Sequence, residues 1–386
     1  MSAFPIDGHV NEGYERVVDA FRRNFEDRGE LGAAVAVIVD GETVVDLWGG
    51  WADPGRTTRW GPRTLTNVWS ATKGLVAVCA LQLIESGDLD PDAPVARYWP
   101  EFAQAGKAHI PVRWLLSHRS GVTGVETPLI AEDLLDWPKM VELLAAQGPL
   151  FEPGSVSGYQ AISHGYLVGE VIRRVTGQTL GQFFLANVAR PLNADVHIGL
   201  PPRDLDRCST MVEPTSMGEL PSPGPAALAA FANPPVTGRL SNDPGWRLAE
   251  VPAANGHATA LGLATVYSAL ADGSERLLKR DTIELGRTGQ GRCVDIVAGL
   301  DNEFGLGFTL GGQQRSFGPN PHAFGHDGFG GSTGFADPER GVGFAYVMNQ
   351  MGPGLRDDPR KMALTEALYE ATDPDTMMSG SDRFLD

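Results

Sequence analysis

The chain carries β-strand patterns near both of its ends and helical patterns between them, and this order restricts its possible folds most. Near the N-terminus, AAVAVIVDGETVVDLWGGW contains two β-rich runs around Asp40-Gly41, a dipeptide typical of hairpin turns. Strand patterns return at residues 304–312, 332–337 and 341–351. The order predicts an α+β fold in which one antiparallel sheet, built from both chain ends, is flanked by helices and interrupted by a mostly helical lobe.

Helical patterns fill most of the remaining chain. Tyr14, Val17, Val18, Phe21 and Phe25 follow the spacing of an amphipathic helix. Further helical segments are predicted at residues 70–86, 111–118, 131–147, 163–177, 258–273 and 357–372.

The segment 213–255 is rich in Pro, Gly, Ser and Asn, and is predicted to be a long irregular loop that shapes a binding site. We therefore expect a discontinuous sheet lobe of residues 1–65 and 255–386. A mainly helical lobe of residues 66–254, which contains most of this loop, lies between its two parts, with a cleft where the lobes meet.

Composition excludes several functional classes. The net charge of −17 disfavours nucleic acid and anionic membrane surfaces as partners, since both bind basic patches. The N-terminus lacks a basic region followed by an apolar core, and no run of 18 apolar residues occurs. The three cysteines have no CxxC spacing, and no HExxH-like pattern indicates a metal. A cytoplasmic protein without a metal site or cofactor is expected.

Ser70 and Lys73 form an S-x-x-K pattern at the start of an apolar helix. Residues three apart lie on one helical face, about 5–6 Å apart at Cβ. A serine hydroxyl needs a neighbouring base to become a nucleophile. Burial and the positive end of the helix dipole both disfavour an ammonium, so Lys73 could serve as that base. The alternative is that Ser70 caps the helix and Lys73 extends to solvent.

Tyr159 is the candidate for a third group. It lies in a loop after Pro153-Gly154 and just before the helix at 163–177. A phenol held near a lysine ammonium is deprotonated more easily, so it could take the serine proton and later pass it to a leaving group. The alternative is a tyrosine that only packs the loop onto the core.

Five stretches, in order, resemble the serine β-lactamase/penicillin-binding-protein-like superfamily and, within it, the family VIII carboxylesterases. They are SATK at 70–73, LLSHRSGV at 115–122, PGSVSGYQAISHGYLVGEVIRRVTG at 153–177, ANGHATA at 254–260 and FGHDGFGGSTGFADPERGVGFAYVMNQM at 324–351. The resemblance implies a β-lactamase/transpeptidase-like fold, with Ser70 as nucleophile, Lys73 as its activating partner and Tyr159 as the tyrosine that relays the proton.

The same resemblance assigns roles on the strand at 324–328. His326-Asp327-Gly328 falls where β-lactamases carry Lys-Thr-Gly and many related esterases carry Trp-Gly-Gly, so His326 and Gly328 are expected to bind substrate. The backbone N–H groups of Ser70 and Phe329 are expected to form the oxyanion hole.

Two departures from the β-lactamase pattern bear on the substrate. Gln160-Ala161 follows Tyr159 without the asparagine that β-lactamases place two residues after the tyrosine. His326 replaces the lysine that helps bind a β-lactam carboxylate. Both changes favour neutral esters over anionic penicillin-like substrates.

Several other residues receive structural interpretations. Gly330-Gly331-Ser332-Thr333-Gly334 matches the G-x-S-x-G nucleophile elbow, but a strand follows it and every histidine precedes Ser332, contrary to the order in α/β-hydrolases. His118 and His257 are interpreted as structural hydrogen-bonding residues.

The leading prediction is a serine carboxylesterase that hydrolyses short-chain carboxylic esters through an acyl-enzyme on Ser70. An acyltransferase, a D-amino-acid peptidase or a weak β-lactamase would share the steps up to the acyl-enzyme. A non-catalytic binding protein on the same fold is the alternative from another class.

Overall fold

A computed structural model describes residues 4–214, 224–312 and 315–372. Its main feature is a seven-stranded antiparallel sheet with the order β1-β3-β2-β12-β11-β10-β9. These strands are β1 (Ile6–Val10), β2 (Gly32–Val39), β3 (Glu42–Gly50), β9 (Thr309–Leu310), β10 (Phe324–Asp327), β11 (Thr333–Asp337) and β12 (Val342–Met348).

The two ends of the chain join where β2 pairs with β12. The register runs from Val39 opposite Val342 to Ala33 opposite Met348. Seven of the eight residues of β2 and all of β12 are buried, as expected for central strands covered on both faces. The sheet therefore has its core at the junction of the two chain ends.

The helices are distributed along the whole chain. They are α1 (Glu15–Asp27), α2 (Thr72–Ser86), α3 (Val112–Leu116), α4 (Trp137–Ala146), α5 (Ser163–Thr176), α6 (Leu180–Phe184), α7 (Arg190–Leu192), α8 (Pro225–Phe231), α9 (Pro244–Leu248), α10 (Ala260–Ala271), α11 (Arg280–Gly286) and α12 (Pro359–Ala371). Helix α10 packs on β2, β11 and β12, whereas α1 packs on α12.

Helix α2 is apolar around most of its circumference and almost entirely buried. It contacts α5, α6 and α11 on the helical side and β10 of the main sheet. A helix with this composition is stable only when other elements surround it. Its start is thereby fixed between the helices and the sheet.

A smaller sheet of β4 (Thr66–Asn67), β6 (Gly256–Ala258) and β5 (Val196–Ile198) holds the segment that leads into α2. The Val68 N–H donates to the carbonyl of Gly256 over 2.8 Å, and Trp69 forms a bridge with Asn255. A further two-stranded sheet pairs β7 (Cys293–Val294) with β8 (Asp301–Asn302). The pairings of β4, Val68 and Trp69 fix the segment that leads to Ser70.

The expected α+β fold is confirmed, with differences in its elements. The first long helix after the hairpin begins at Thr72 and not at Ser70. Of the predicted strand at 304–312, only Thr309–Leu310 pairs in the main sheet. The segment 213–255 is not wholly irregular, because it contains α8, α9 and a 3₁₀ turn at Leu240–Asn242.

Residues 215–223 of that segment lie outside the described part of the chain. The division into a sheet lobe and a helical lobe at residues 65 and 255 stays a prediction. Within the described ranges, no helix has the length and apolar character required to cross a bilayer.

Candidate active site

Ser70 lies in the turn just before α2, where the backbone is held in an uncommon conformation. Trp69 precedes it with a φ of 49°, in the left-handed region that residues other than glycine rarely adopt. The indole packs between Trp246 and Phe329, with ring centroids 6.2 and 5.9 Å away. A left-handed residue of this kind persists only where its surroundings fix it, and such residues cluster at functional sites.

Lys73 is fully buried in the first turn of α2, and its Nζ has three polar partners. Its Nζ lies 2.8 Å from the carbonyl oxygen of Ala161, 2.9 Å from that of Ala253 and 3.0 Å from Ser70 Oγ. The alternative in which Lys73 extends to solvent is therefore wrong. The side chain is directed at Ser70 by two backbone carbonyls from distant parts of the sequence.

Burial lowers the pKa of Lys73 well below its ordinary value, because desolvation disfavours the ammonium. A neutral amine has two N–H groups and one lone pair. The two carbonyls can only accept, so they take the two N–H groups and leave the lone pair facing the hydroxyl of Ser70. In this state Lys73 is ready to accept the serine proton.

Tyr159 completes the set of three residues that we call the serine relay: Ser70, Lys73 and Tyr159. Its hydroxyl donates to Ser70 Oγ over 2.8 Å, although the two residues are 89 positions apart. Burial raises the pKa of the Tyr159 phenol, since desolvation disfavours the phenolate. The direction of this shift is opposite to the one expected from a neighbouring lysine ammonium, and the role of the phenol in proton transfer stays a prediction. Burial therefore favours the neutral form of both side chains, the amine of Lys73 and the phenol of Tyr159.

The loop that carries Tyr159 is attached to His118 on both sides of the tyrosine. The Gly158 N–H donates to the carbonyl of His118 over 2.8 Å, and the Gln160 N–H donates to its Nδ1 over 3.2 Å. The imidazole also packs on the phenol, with ring centroids 4.9 Å apart. His118 thus acts as a structural hydrogen-bonding residue.

His257 is also structural. It is buried and holds the carbonyl of Asn255 through Nδ1, over 2.8 Å. Gln160, at the position after the tyrosine, is fully buried and donates from Nε2 to Ser120 Oγ over 3.0 Å. Neither side chain contributes to the serine relay.

The turn between β10 and β11, residues 328–332, faces the relay from the sheet side, and we call it the oxyanion turn. Among the described residues, neither the Ser70 N–H nor the Phe329 N–H donates to a protein acceptor. Two free N–H groups beside a nucleophile suit an oxyanion hole. Their role stays a prediction.

Gly328 has a packing reason for its identity. A Cβ atom here would lie 2.2 Å from the carbonyl oxygen of Val68 and equally close to Ser332 Oγ. Its N–H donates to the carbonyl of Ser332 over 2.6 Å. The glycine allows the oxyanion turn to approach the segment before Ser70, and its expected contact with substrate stays a prediction.

Ser332, the serine of the G-x-S-x-G pattern, is fully buried. Its hydroxyl donates to the carbonyl of Val68 over 2.9 Å. The next residue begins β11, so the strand–turn–helix context of a nucleophile elbow does not occur here. Ser332 joins the oxyanion turn to the chain before Ser70.

His326 contributes its ring to the wall of the site. Its Nδ1 lies 2.7 Å from the carbonyl of Asp327, which can only accept, so Nδ1 carries the proton. Its Nε2 is then an acceptor, and it has no partner among the described residues. Burial lowers the pKa of His326 to about 3, so the ring is neutral at ordinary pH. The position thus offers an acceptor where a lysine would offer a charged donor.

The relay opens into a cleft with about 460 Å³ of unfilled space, part of which is open to solvent. The cleft is lined by Ser70, Tyr159, Ala298, Leu300, Asn302, Phe304, Thr309, His326, Asp327, Phe329, Leu355 and Arg356. Most of this wall is apolar, as is usual for sites that bind small organic molecules.

Sequence reasoning missed the wall formed by residues 298–304 and the two residues at 355–356. These segments carry no motif, and only their position after folding brings them to Ser70. The same holds for the carbonyls of Ala161 and Ala253, since a backbone acceptor leaves no trace in residue type. In the described ranges, no group of three or more His, Cys, Asp or Glu side chains is placed to hold a metal ion.

Comparison with known proteins places this geometry in a family. Residues 17–368 match the Beta-lactamase family model. The esterase/beta-lactamase LipL of Mycobacterium tuberculosis is 36% identical over 362 residues, which cover 90% of this chain and 83% of that protein.

Solved structures agree with the sequence match. The crystal structure of a family VIII carboxylesterase is 43% identical with a TM-score of 0.91, and the match covers 95% of this chain and all of that one. A penicillin-binding protein homologue from Caulobacter crescentus is 41% identical, with the same TM-score and coverage. The resemblance inferred from the five motifs is confirmed, and the chain belongs to the Beta-lactamase family.

Proposed function

We propose that the protein is a serine carboxylesterase that hydrolyses short-chain carboxylic esters through an acyl-enzyme on Ser70. The observation that carries this proposal is the arrangement at Ser70 Oγ, which lies 3.0 Å from a buried amine and 2.8 Å from a buried phenol. The esterases among its relatives support ester hydrolysis as the reaction class. No cofactor is required.

Acylation begins with transfer of the Ser70 proton to the lone pair of Lys73. Ser70 Oγ forms a bond to the ester carbonyl carbon, and the carbonyl oxygen becomes an oxyanion. The N–H groups of Ser70 and Phe329 would hold this oxyanion, and each such donor typically contributes about 10²–10³ in rate.

The tetrahedral intermediate collapses when the bond to the leaving oxygen breaks. Tyr159 gives its proton to that oxygen, and the phenolate so formed takes the proton held by the Lys73 ammonium. Water then attacks the acyl carbon and gives one proton to the relay. The bond between Ser70 Oγ and the acyl carbon breaks, Ser70 Oγ takes that proton, and the carboxylic acid is released. The raised pKa of Tyr159 suits this order of events, because the phenol is protonated when the leaving group needs a proton.

The cleft favours small acyl or alcohol groups. Its apolar wall is formed by side chains such as Leu300, Phe304 and Leu355. The unfilled space of about 460 Å³ includes the open mouth, so the enclosed part of the cleft is smaller than this. Short-chain esters fit this space better than long acyl chains.

A β-lactam is the second candidate substrate, and one side chain favours it. Arg356 lines the cleft, with 11% of its side chain exposed, and its Nη1 donates to Asn302 Oδ1 over 2.8 Å. This guanidinium could partly replace the cation lost at His326. A nitrocefin assay tests it, and turnover that falls in Arg356→Gln would support this activity.

Replacement of Ser70 tests the main proposal. Ser70→Ala should abolish hydrolysis of p-nitrophenyl acetate, a loss of at least about 10⁴-fold, because no other group forms the acyl-enzyme. Ser332→Ala serves as the control, because this hydroxyl is buried and bound to the Val68 carbonyl. It should keep most of the activity. The reverse outcome would refute the assignment.

A fluorophosphonate probe separates an enzyme from a binding protein on the same fold. Mass spectrometry should find the adduct on the peptide that contains Ser70, and absence of labelling would favour the non-catalytic alternative. Product analysis with added alcohol then separates hydrolysis from acyl transfer, since a transferase would form a new ester.

A further inference from the structure

Asp295 is a buried carboxylate that the mechanism above does not use. Its side chain is fully shielded from solvent and forms no ion pair with a described residue. It is instead surrounded by hydrogen-bond donors. Oδ1 accepts from the backbone N–H groups of Tyr159, Val297 and Ala298 over 3.0, 2.9 and 2.8 Å, and Oδ2 accepts from Ser157 Oγ over 2.8 Å.

A carboxylate without a cation is costly to bury unless hydrogen bonds satisfy it. The three backbone groups can only donate, so Oδ1 must accept from all of them. Together with the Ser157 hydroxyl on Oδ2, these donors satisfy both oxygens of the buried side chain.

The four donors come from two segments that meet at the active site. Ser157 and Tyr159 belong to the loop that presents the phenol, whereas Val297 and Ala298 belong to the segment that forms the cleft wall. A further backbone bond, from the Ile296 N–H to the carbonyl of Ser157 over 3.1 Å, joins the same two segments. Asp295 therefore lies where the Tyr159 loop is fastened to the wall.

His118 attaches the Tyr159 loop from a second side. His118 binds the neighbours of Tyr159, at Gly158 and Gln160, and contacts one face of the phenol. Asp295 binds the backbone of Tyr159 itself. The two attachments hold the backbone of the loop from both sides at the position from which the phenol reaches Ser70 Oγ.

We propose that Asp295 is a positioning residue for the proposed esterase: its carboxylate fixes the backbone of Tyr159 to the cleft wall, so that the phenol stays on the Ser70 hydroxyl and on the leaving-group oxygen. This inference rests on the proposed function of Tyr159 as proton donor. It adds a residue whose effect on catalysis passes through Tyr159.

A comparison of two leaving groups tests the proposal. p-Nitrophenolate leaves readily without a proton, whereas an ethoxide leaves only when Tyr159 protonates it. Asp295→Ala should therefore lower kcat/KM by less than about tenfold for p-nitrophenyl butyrate and by about 10²–10³-fold for ethyl butyrate. Tyr159→Phe should show the same selective loss.

Asp295→Asn is the matched control. Its amide oxygen can accept the three N–H groups, and the Ser157 hydroxyl can turn to accept from the amide nitrogen. It should keep both activities within about tenfold of the parent. If Asp295→Ala does not fold, Asp295→Glu is the second test variant. Its side chain has one more methylene group, which should displace the Tyr159 loop from the wall. It should therefore show the selective loss on ethyl butyrate.

The outcomes separate this inference from the proposed function. Equal losses on both esters in Asp295→Ala, or in Asp295→Glu, would overturn the positioning role, because a general loss of structure does not depend on the leaving group. Equal losses in Tyr159→Phe would instead overturn the role of Tyr159 as proton donor. A selective loss in Tyr159→Phe without one in the Asp295 variants would leave the proposed function intact and refute only the inference.

Discussion

The two sides of the cleft differ in how completely their polar groups are satisfied. On the relay side, Lys73 has three polar partners and the Tyr159 hydroxyl donates to Ser70. On the side of the oxyanion turn, the Phe329 N–H and His326 Nε2 have no partner among the described residues. The side chains of the relay are thus paired within the protein, whereas these two groups of the turn remain available to a substrate.

This difference has an energetic meaning. A buried polar group without a partner typically costs about 1–3 kcal/mol. If the substrate supplies the missing hydrogen-bond partner only in the transition state, the removed cost lowers the activation free energy. We therefore expect substitutions on the relay side to abolish ester hydrolysis, and substitutions on the turn side to lower its rate by smaller factors.

The largest effect is expected from Lys73, because the relay side depends on a neutral amine. Lys73→Met keeps most of the volume but cannot accept a proton, and Lys73→Arg remains charged at every accessible pH. Both should slow acylation by p-nitrophenyl acetate by about 10³-fold or more. Stopped-flow measurement of the nitrophenolate burst checks this.

Circular dichroism of both Lys73 variants controls for folding. If Lys73→Arg is folded and acylates within tenfold of the parent, the amine is not the base. The two sides would then not differ in the way proposed.

The sequence predicted one part of the relay on physical grounds and the other only by resemblance. Ser70 and Lys73 lie within one turn at the start of an apolar helix, so their proximity and the burial of the amine follow from local spacing. Tyr159 lies 89 positions from Ser70, and nothing in the spacing links the two. Asp295 matched no motif, and its role appears only when the wall meets the Tyr159 loop.

The fold shows the same division between strong and weak local signals. The hairpin of β2 and β3 and the strands β11 and β12 follow long apolar runs, and the sheet formed from both chain ends was predicted from them. Helix α8 was missed because its segment is rich in Pro and Gly. Pro225 in its first turn followed by AALAAF is a helical signal that the average composition concealed.

An intermediate effect is expected from Arg360, which supports the oxyanion turn from α12. Its Nη2 donates to the carbonyl of Gly330 over 3.0 Å, and its Nη1 lies 3.1 Å from Glu30 Oε1. Arg360→Met should lower kcat by up to about 10²-fold through displacement of the turn. It should also destabilise the protein by about 3–5 kcal/mol, because the buried Glu30 loses its cationic partner.

Thermal unfolding and kcat with p-nitrophenyl butyrate measure the two effects. Arg16→Met is the control, because the Arg16–Glu370 pair links α1 to α12 at the exposed surface. It should change neither quantity appreciably. A folded Arg360→Met protein with unchanged kcat would show that the turn does not need this support.

The smallest effect is expected from substitution of His326. This substitution tests whether the serine relay activates Ser70 without help from the turn side. His326→Gln should lower kcat/KM by about 2–12-fold, because the loss of one hydrogen bond typically costs about 0.5–1.5 kcal/mol. The pH profile is the sharper measurement. In the proposed mechanism, activity requires the neutral amine of Lys73, so kcat/KM should rise with pH through the pKa of Lys73, which burial lowers well below its ordinary value.

His326 should contribute nothing to that rise. Burial lowers the pKa of the imidazole to about 3, so the ring carries no charge at any pH above about 5. The midpoint of the rising limb should therefore be the same in His326→Gln and in the parent. If the rising limb disappears in His326→Gln, the group whose deprotonation activates the enzyme is His326 and not Lys73. The relay of Ser70, Lys73 and Tyr159 would then not be sufficient to activate the serine.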